Sequence, residues 1–512
     1  MKKALSILLT VVLIAVAAIV PAYAANYDQP FDAGTLGVGK YRIPALYTLS
    51  DGSLLAVADM RYEHGSDSPH NIDIAVAKSK DGYTDWKYQV INHFDDYADG
   101  QTGKDSASFI DSAIAQSSNG RVFIVSDAFP SGGGYPTAKT GTGFDKNGHL
   151  RLTTGSTSDK LDSFGYHVGD FSGSMATVYE NNGTATQYSV DKEYNLYKNG
   201  AALYMEQKGS QGTMVQQNVF YNDSELCCYM TTYLWMRYSD DNGETWSTPV
   251  MLSSQVKSDD ESFLGIGPGR GISVKLPGGG ERIIFAVYDN VGGLISSQSE
   301  NVSTIYSDDN GVTWHRGSET ECRYVVGKTS EAQIVDLGNG TLRMFARNNY
   351  NYVSYADSTD YGVSWSKFRC DESLSANGNC MVSFINTDKV IDGKKVILGS
   401  FASNSAERAD GVIKTGLLNA DNTISWTETY HLTDGFYAYS CLTQLSDGNF
   451  AILFEDEAAH IQYMVLSMDE NGKLTEVNNN NPSFSGELSF LDKLRSFFFK
   501  IFDAIFAALG IM

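Results

Sequence analysis

One eight-residue phrase occurs three times in this chain: Ser239-Asp-Asp-Asn-Gly-Glu-Thr-Trp246, Ser307-Asp-Asp-Asn-Gly-Val-Thr-Trp314 and Ser358-Thr-Asp-Tyr-Gly-Val-Ser-Trp365. The shared pattern Ser-x-Asp-x-Gly-x-Ser/Thr-Trp fixes five positions, and a single match has odds of about one in a million per position. Repetition on this scale means an array of similar units, not one irregular domain. Two degraded copies, Ser79–Trp86 and Asn419–Trp426, keep Asp81, Trp86, Asp421 and Trp426 but lose the glycine at its place, so five of the six tryptophans belong to one recurring turn. The chemistry of that turn is structural. The carboxylate accepts backbone N–H groups, glycine supplies a positive φ, and tryptophan anchors the loop by burial. The boxes are expected to staple the fold and bind nothing.

A second repeat counts the units. Turn residues flanked by apolar runs occur at Asp51-Gly52, Asn119-Gly120, Gly278-Gly279-Gly280, Asn339-Gly340, Asp392-Gly393 and Asp447-Gly448. Such turns are strong hairpin signals. Six hairpins, most followed by a box, predict an all-β, six-bladed β-propeller with about four strands per blade. From turn to box the chain runs 28 residues in the first blade (51 to 79), 28 in the third (279 to 307), 19 in the fourth (339 to 358) and 27 in the fifth (392 to 419), but 120 in the second (119 to 239). The second blade therefore carries a small inserted β-subdomain, placed at 130–219, because a structureless loop of that length is improbable. The propeller occupies 26–129 and 220–477.

The ends differ from the middle. Met1-Lys-Lys, an apolar run from Ala4 to Val20 and Pro21-Ala22-Tyr23-Ala24 read as a secretory signal over 1–24, with an uncleaved anchor as the alternative. Either way the protein is expected to be secreted or held at the cell surface. A linker over 478–489 leads to 490–512, where Leu491, Leu494, Phe497, Phe498, Ile501, Phe502, Ile505 and Leu509 fall at helical spacing. This amphipathic C-terminal helix either lies on a membrane surface or packs on the propeller. A net charge of −23 argues against nucleic acid, so an anionic ligand must be drawn in by local arginines. The six cysteines show no metal-ligand spacing. Cys370 and Cys380 either close a short disulfide loop or remain thiols.

Symmetry about each hairpin turn locates the candidate chemistry, because residues equidistant from a turn are cross-strand neighbours. By this ruler Arg42 pairs with Arg61, Asp111 with Asp127, Glu331 with Arg347, and Tyr439 with Asp456, Glu455 lying beside it. These open ends are expected to ring one mouth of the central channel, gathering arginines, carboxylates and a phenol.

The motif Tyr41-Arg42-Ile43-Pro44, followed by several Asp boxes, resembles the bacterial sialidase (exo-α-neuraminidase) family over about 29–463. The resemblance implies an arginine triad of Arg42, Arg347 and Arg408 for the sialic acid carboxylate, with Arg369 as the rival of Arg408. It implies Tyr439 as nucleophile, with Tyr437 as the competing phenol, and Glu331 as its base. Asp67 is implied as acid/base, with Glu63 and Asp73 as rivals, and Arg61, with Asp111 nearby, as a contact to the sugar. Arg270 takes no triad role, and His64 and His70 have no partner at metal spacing. A neutral phenol suits an anomeric carbon that bears a carboxylate, since an anionic attacker would be repelled. The family implies a retaining exo-sialidase needing no cofactor and no metal, acting as a monomer on sialylated glycans. Transfer of the sialyl group to a second glycan, its intramolecular transfer to an anhydro product, and a silent sialoglycan-binding propeller are the alternatives.

Overall fold

The computed structural model describes residues 27–62, 65–101, 103–291, 300–318, 327–457 and 460–477. The expected signal at 1–24, the linker, the C-terminal helix, Glu63, His64 and Cys322 lie outside the described residues.

Six antiparallel sheets form the blades of a β-propeller. Blade I is Lys40–Thr48, Leu54–Arg61, Ile72–Ser79 and Lys87–Asn92; blade II is built on Ser108–Gln116, Val122–Phe129, Tyr233–Ser239 and Val250–Met251. Blade III centres on Glu261–Ile266, Glu281–Val291 and Glu300–Ser307. Blade IV runs from Ala332–Asp336 to Arg369–Ser375, blade V from Ser383–Ile391 to Ile424–Phe436, and blade VI from Ser440–Gln444 to Leu474–Glu476. The first strands of blades IV, V, VI, I, II and III contact one another in turn, and blade IV meets blade III through Glu281–Val291. The second strands Leu54–Arg61, Val122–Phe129 and Leu342–Ala346 are buried along their whole length. Each buried large apolar side chain there contributes about 1.5–3 kcal/mol of transfer free energy.

All strands of blade VI come from one contiguous stretch, so the ring is closed by side chains. Tyr27 Oη donates to Glu476 at 2.6 Å, Gln29 brackets the backbone of Tyr463, and Tyr83 Oη donates to Asp447 at 2.6 Å.

The boxes sit between the third and fourth strands, at the same end as the hairpin turns, as the pairing of Leu54 with Ser79 shows. In the box of blade II, Asp241 Oδ1 accepts the Thr245 N–H at 2.8 Å while Ser239 Oγ accepts the Gly243 N–H at 2.7 Å. The same bonds recur around Asp309 and Asp360. Gly243, Gly311 and Gly362 hold φ of 83°, 84° and 83°, a region closed to most other residues. The degraded first box still works, because Gly82 takes up the positive φ and donates its N–H to Ser79 Oγ.

The inserted sheet has seven strands, ordered from Cys227–Cys228 through Arg151–Thr153, Tyr166–Ser172, Met175–Glu180, Ala185–Asp191 and Leu196–Lys198 to Ala201–Ala202. It reaches past residue 219, because Cys227 pairs with Thr153. Its core, from Leu152 and Val178 to Phe220, is continuous with blade I and II side chains such as Phe94, Phe109 and Trp235. Cys370 and Cys380 are free thiols, so the loop-closing disulfide is not formed.

Candidate active site

The mouth opposite the boxes is built from backbone irregularities. In blade I the ladder slips between Arg42 and Ala45, where Ile43 adopts φ 54°. A β-branched residue at positive φ is strained and persists only where its surroundings over-determine it. Here the Ile43 N–H donates to Glu455 Oε1 at 3.0 Å. The turn is centred on Asp51 and the slip moves the register one residue further, so Arg42 stands opposite Asp59, and Arg61 opposite Lys40. In blade II Asp111 occupies a similar bulge at φ 55°, so Asp127 pairs with Ile110. In blade VI Ser440 pairs with Phe454, and Glu455 exchanges backbone bonds with Ala438 and Tyr439. Glu455, not Asp456, therefore faces Tyr439. The pairing of Glu331 with Arg347 in blade IV stands as expected, since the Arg347 N–H donates to the Glu331 carbonyl at 2.9 Å.

Two linked clusters meet across the mouth. In the first, Arg42 makes a bidentate pair with Glu455, Nε to Oε1 at 3.0 Å and a terminal nitrogen to Oε2 at 3.2 Å. Arg42 and the fully buried Arg61 both donate to Asp67 Oδ1, at 3.3 and 2.6 Å, and Arg61 also donates to Asp59 at 2.7 Å. Asp67 is nonetheless 67% exposed, so it is the carboxylate here that a ligand meets. Its partial burial would raise its pKa, but the Arg61 and Arg42 guanidiniums outweigh that and hold it below the usual carboxylate range.

In the second cluster Tyr439 Oη donates to Glu331 Oε1 at 2.5 Å. One terminal nitrogen of Arg347 bridges the pair, 2.8 Å from Glu331 Oε2 and 3.3 Å from Tyr439 Oη. The guanidiniums of Arg42 and Arg408 stand 5.5 and 5.6 Å from the Tyr439 ring. Asn379 ties two of the arginines together, taking bonds from Arg347 on its side-chain oxygen and from Arg408 on its carbonyl. Burial pushes the Tyr439 phenol well above its ordinary range and the Glu331 charge pushes it further, against the pull of Arg347 and Arg408. The phenol is thus neutral, with its proton directed at Glu331.

Between the clusters lie buried acids. The Asp111 N–H donates to Asp59 at 3.1 Å, and Asp127 accepts the Ile266 N–H at 2.9 Å. Burial, then repulsion from Asp59, Asp127 and Glu331, holds the Asp111 carboxyl well above the usual range. Burial lifts Asp59 to about 7 against the pull of Arg61. Ile110, on the strand that carries Asp111, belongs to a separate buried cluster with Ile72, Phe129, Phe263 and Tyr288, with Tyr135 against it.

Three of the rivals have other partners. Arg369 lies on the outer strand of blade IV, paired with Asp357 at 3.0 Å. Tyr437 is buried on Ser400, and Asp73 is taken up by Tyr62 and His93. Arg270, on a short strand paired with the first strand of blade II, donates to the Leu442 carbonyl and Thr443 of blade VI. Sequence patterns place Glu455 at the mouth only as the neighbour of Asp456, and do not assign Asp59 or Asn379 to the site. Glu455 and Asp59 follow once the bulges are placed, whereas Asn379 sits in a loop without a pattern. Among the described residues, the group spaced to hold a metal ion is Asp145, His149 and His167, in the insertion and not at the mouth.

Residues 203–452 match the BNR repeat-like domain family. The chain is 32% identical over 467 residues to the anhydrosialidase of Macrobdella decora, covering 84% of this chain and 59% of that protein. It is 31% identical over 471 residues to sialidase B of Streptococcus pneumoniae, covering 81% of this chain and 61% of that protein. It thus spans about three fifths of the length of these curated relatives. The crystal structure of the intramolecular trans-sialidase from Ruminococcus gnavus, in complex with oseltamivir carboxylate, superposes with a TM-score of 0.76 at 31% identity, covering 88% of this chain and 100% of that one.

Proposed function

The chain belongs to the sialidase family, and from that premise we propose that it cleaves terminal α-linked sialic acid from glycans with retention, through a covalent intermediate on Tyr439. The observation that carries the reading is the Tyr439–Glu331 hydrogen bond bridged by Arg347. It supplies a neutral nucleophile, a base to take its proton and a cation to steady the phenolate as it forms.

Arg42, Arg347 and Arg408 clamp the sugar carboxylate, since guanidinium forks bind carboxylates bidentately and stay charged. The anomeric carbon bonded to that carboxylate is thereby held over Tyr439. Binding draws Arg42 from Asp67, which raises the Asp67 pKa toward a value at which it carries a proton. In the first step the bond from Tyr439 Oη to the anomeric carbon forms as the glycosidic bond breaks. Glu331 takes the phenol proton, and the departing oxygen keeps the bonding pair and takes the proton of Asp67. In the second step Asp67 removes a proton from water, the water oxygen displaces Tyr439, and the phenolate recovers its proton from Glu331.

A second reading changes only that last nucleophile. A hydroxyl of the sugar's own side chain replaces water and an anhydro sugar leaves. The likeness to the anhydrosialidase of Macrobdella decora favours it.

Proton NMR of an α-sialyllactose digest tests both readings. Free sialic acid appearing first as its α-anomer, and lost with Tyr439→Phe, supports the hydrolase. An anhydro product lost with the same variant supports the second reading. Turnover surviving Tyr439→Phe overturns both.

A further inference from the structure

The inserted sheet holds a constellation with no part in the chemistry at the mouth. The turn Asp145-Lys-Asn-Gly148-His149 closes before Arg151–Thr153, with the Gly148 N–H on the Asp145 carbonyl and Gly148 at φ 82°. Arg151 pairs with His167 on the neighbouring strand, which brings His167 beside the turn. The rings of His149 and His167 stack 5.4 Å apart at 16°, and the other neighbour of His167, the Tyr179 ring, lies 5.8 Å away at 20°.

The carboxylate is already aimed. Asp145 Oδ1 accepts the Asn147 and His149 N–H groups at 2.8 and 3.0 Å, fixing the side chain. That leaves Oδ2, which stands 3.5 Å from His149 Nδ1, a buried nitrogen that makes no hydrogen bond. One ligand atom from each of Asp145, His149 and His167 can be chosen so that all lie within 4.8 Å of one another. Two ligands at zinc bond lengths of about 2.0–2.1 Å, spread at the tetrahedral angle, lie about 3.4 Å apart. The open 3.5 Å gap therefore matches the edge of a coordination tetrahedron.

The far side of the ring fits as well. His149 Nε2 points at Asp170 Oδ1 at 3.4 Å. A metal-bound imidazole characteristically donates its other N–H to a carboxylate, which sets its tautomer. Two imidazoles and one carboxylate oxygen suit a zinc-class ion, whereas calcium and magnesium prefer oxygen alone.

We propose that Asp145 Oδ2, His149 Nδ1 and a ring nitrogen of His167 bind one Zn²⁺, with Asp170 orienting His149 and a water completing the tetrahedron. The ion clips the 145–149 turn to the strand Tyr166–Ser172 and stiffens the insertion. It is independent of which reaction runs at the mouth.

The test is calorimetric titration of Zn²⁺ into the tag-free, chelator-treated full chain, repeated with Co²⁺ to read the visible absorption of a tetrahedral site. His167→Phe keeps the stacking partner of Tyr179 without a ligand, and Asp145→Asn keeps the acceptor for the turn amides without the charge. The native chain is expected to take up one Zn²⁺, both variants to bind at least about 100-fold more weakly, and Asp170→Asn about 10-fold more weakly. No zinc uptake by the native chain, or unchanged affinity in His167→Phe and Asp145→Asn with native circular dichroism, overturns the proposal.

Discussion

The two rims of the propeller are both rich in carboxylates, and they use them in opposite ways. On the turn side, the box aspartates are largely exposed and satisfied by nearby amides and hydroxyls. Hydrogen bonds from the Thr245 and Ser239 hydroxyls and the Thr245 amide draw Asp241 down to about 2. On the mouth side, Asp59, Asp111 and Asp127 are buried, and burial drives each upward. A low pKa produced by local amides marks a carboxylate employed in folding. High values among crowded acids and arginines mark groups whose stability cost is offset elsewhere, a pattern that concentrates at functional sites. Residue type alone does not separate the two rims; the bonding around each carboxylate does.

The contrast can be broken most sharply at the phenol. Tyr439→Phe is expected to lower kcat on sialyllactose by about 10³-fold or more, with the melting temperature close to that of the parent. A comparable loss from a box substitution would erase the distinction. Asp67→Asn is expected to cost about 100-fold on sialyllactose but far less on an aryl sialoside, whose leaving group needs no proton. Equal losses on the two substrates would remove Asp67 from the acid role.

The turn-side rim should answer in stability alone. Asp241→Ala removes its bonds to Ser239 and Thr245 and is expected to cost about 1–2 kcal/mol by denaturant unfolding, with kcat unchanged. The last contrast sharpens the comparison through pH. The folded pKa of Asp111 is raised, so its stabilisation is complete below the unfolded value of about 3.9 and is lost as pH rises through the folded value. Asp111→Asn should therefore gain stability relative to the parent as pH climbs above about 4, by at most about 1.4 kcal/mol for each pH unit crossed below the folded value. The Asp241 pKa is lowered, so its contribution should fade between about 4 and about 2 as pH falls. Parallel pH profiles for Asp111→Asn and Asp241→Ala would contradict the two-rim account.

Much of this was legible in the sequence, because blade number and strand order follow from local turn chemistry that repeats. Asp51-Gly52 and its five counterparts all close hairpins, and each box lies between the third and fourth strands of its blade. A sixth turn falls outside the pattern: Asp469 caps the Asn471 and Lys473 amides and Gly472 has a positive φ, but the tryptophan is absent. At the mouth, counting from turns failed where the ladder slips. Ile43 and Asp111 lie at positive φ, which shifts Arg42 onto Asp59 and leaves Asp111 unpaired in register. Bulges gather at functional rims, where they re-aim side chains, so the ruler is least reliable where the chemistry lies. The metal-spaced trio in the insertion was invisible for another reason: His167 meets Asp145 and His149 only through strand pairing.

The most direct test of the central claim is to trap the intermediate. Treating the protein with a sialosyl fluoride, fluorinated beside the anomeric carbon to slow the second step, and mapping the adduct by peptide mass spectrometry identifies the attacking residue. The account predicts one sialosyl group per chain, on Tyr439, and none on the Glu331→Gln variant over the same interval. An adduct on Tyr437, Glu331 or Asp67, or continued turnover with Tyr439 unmodified, would contradict it.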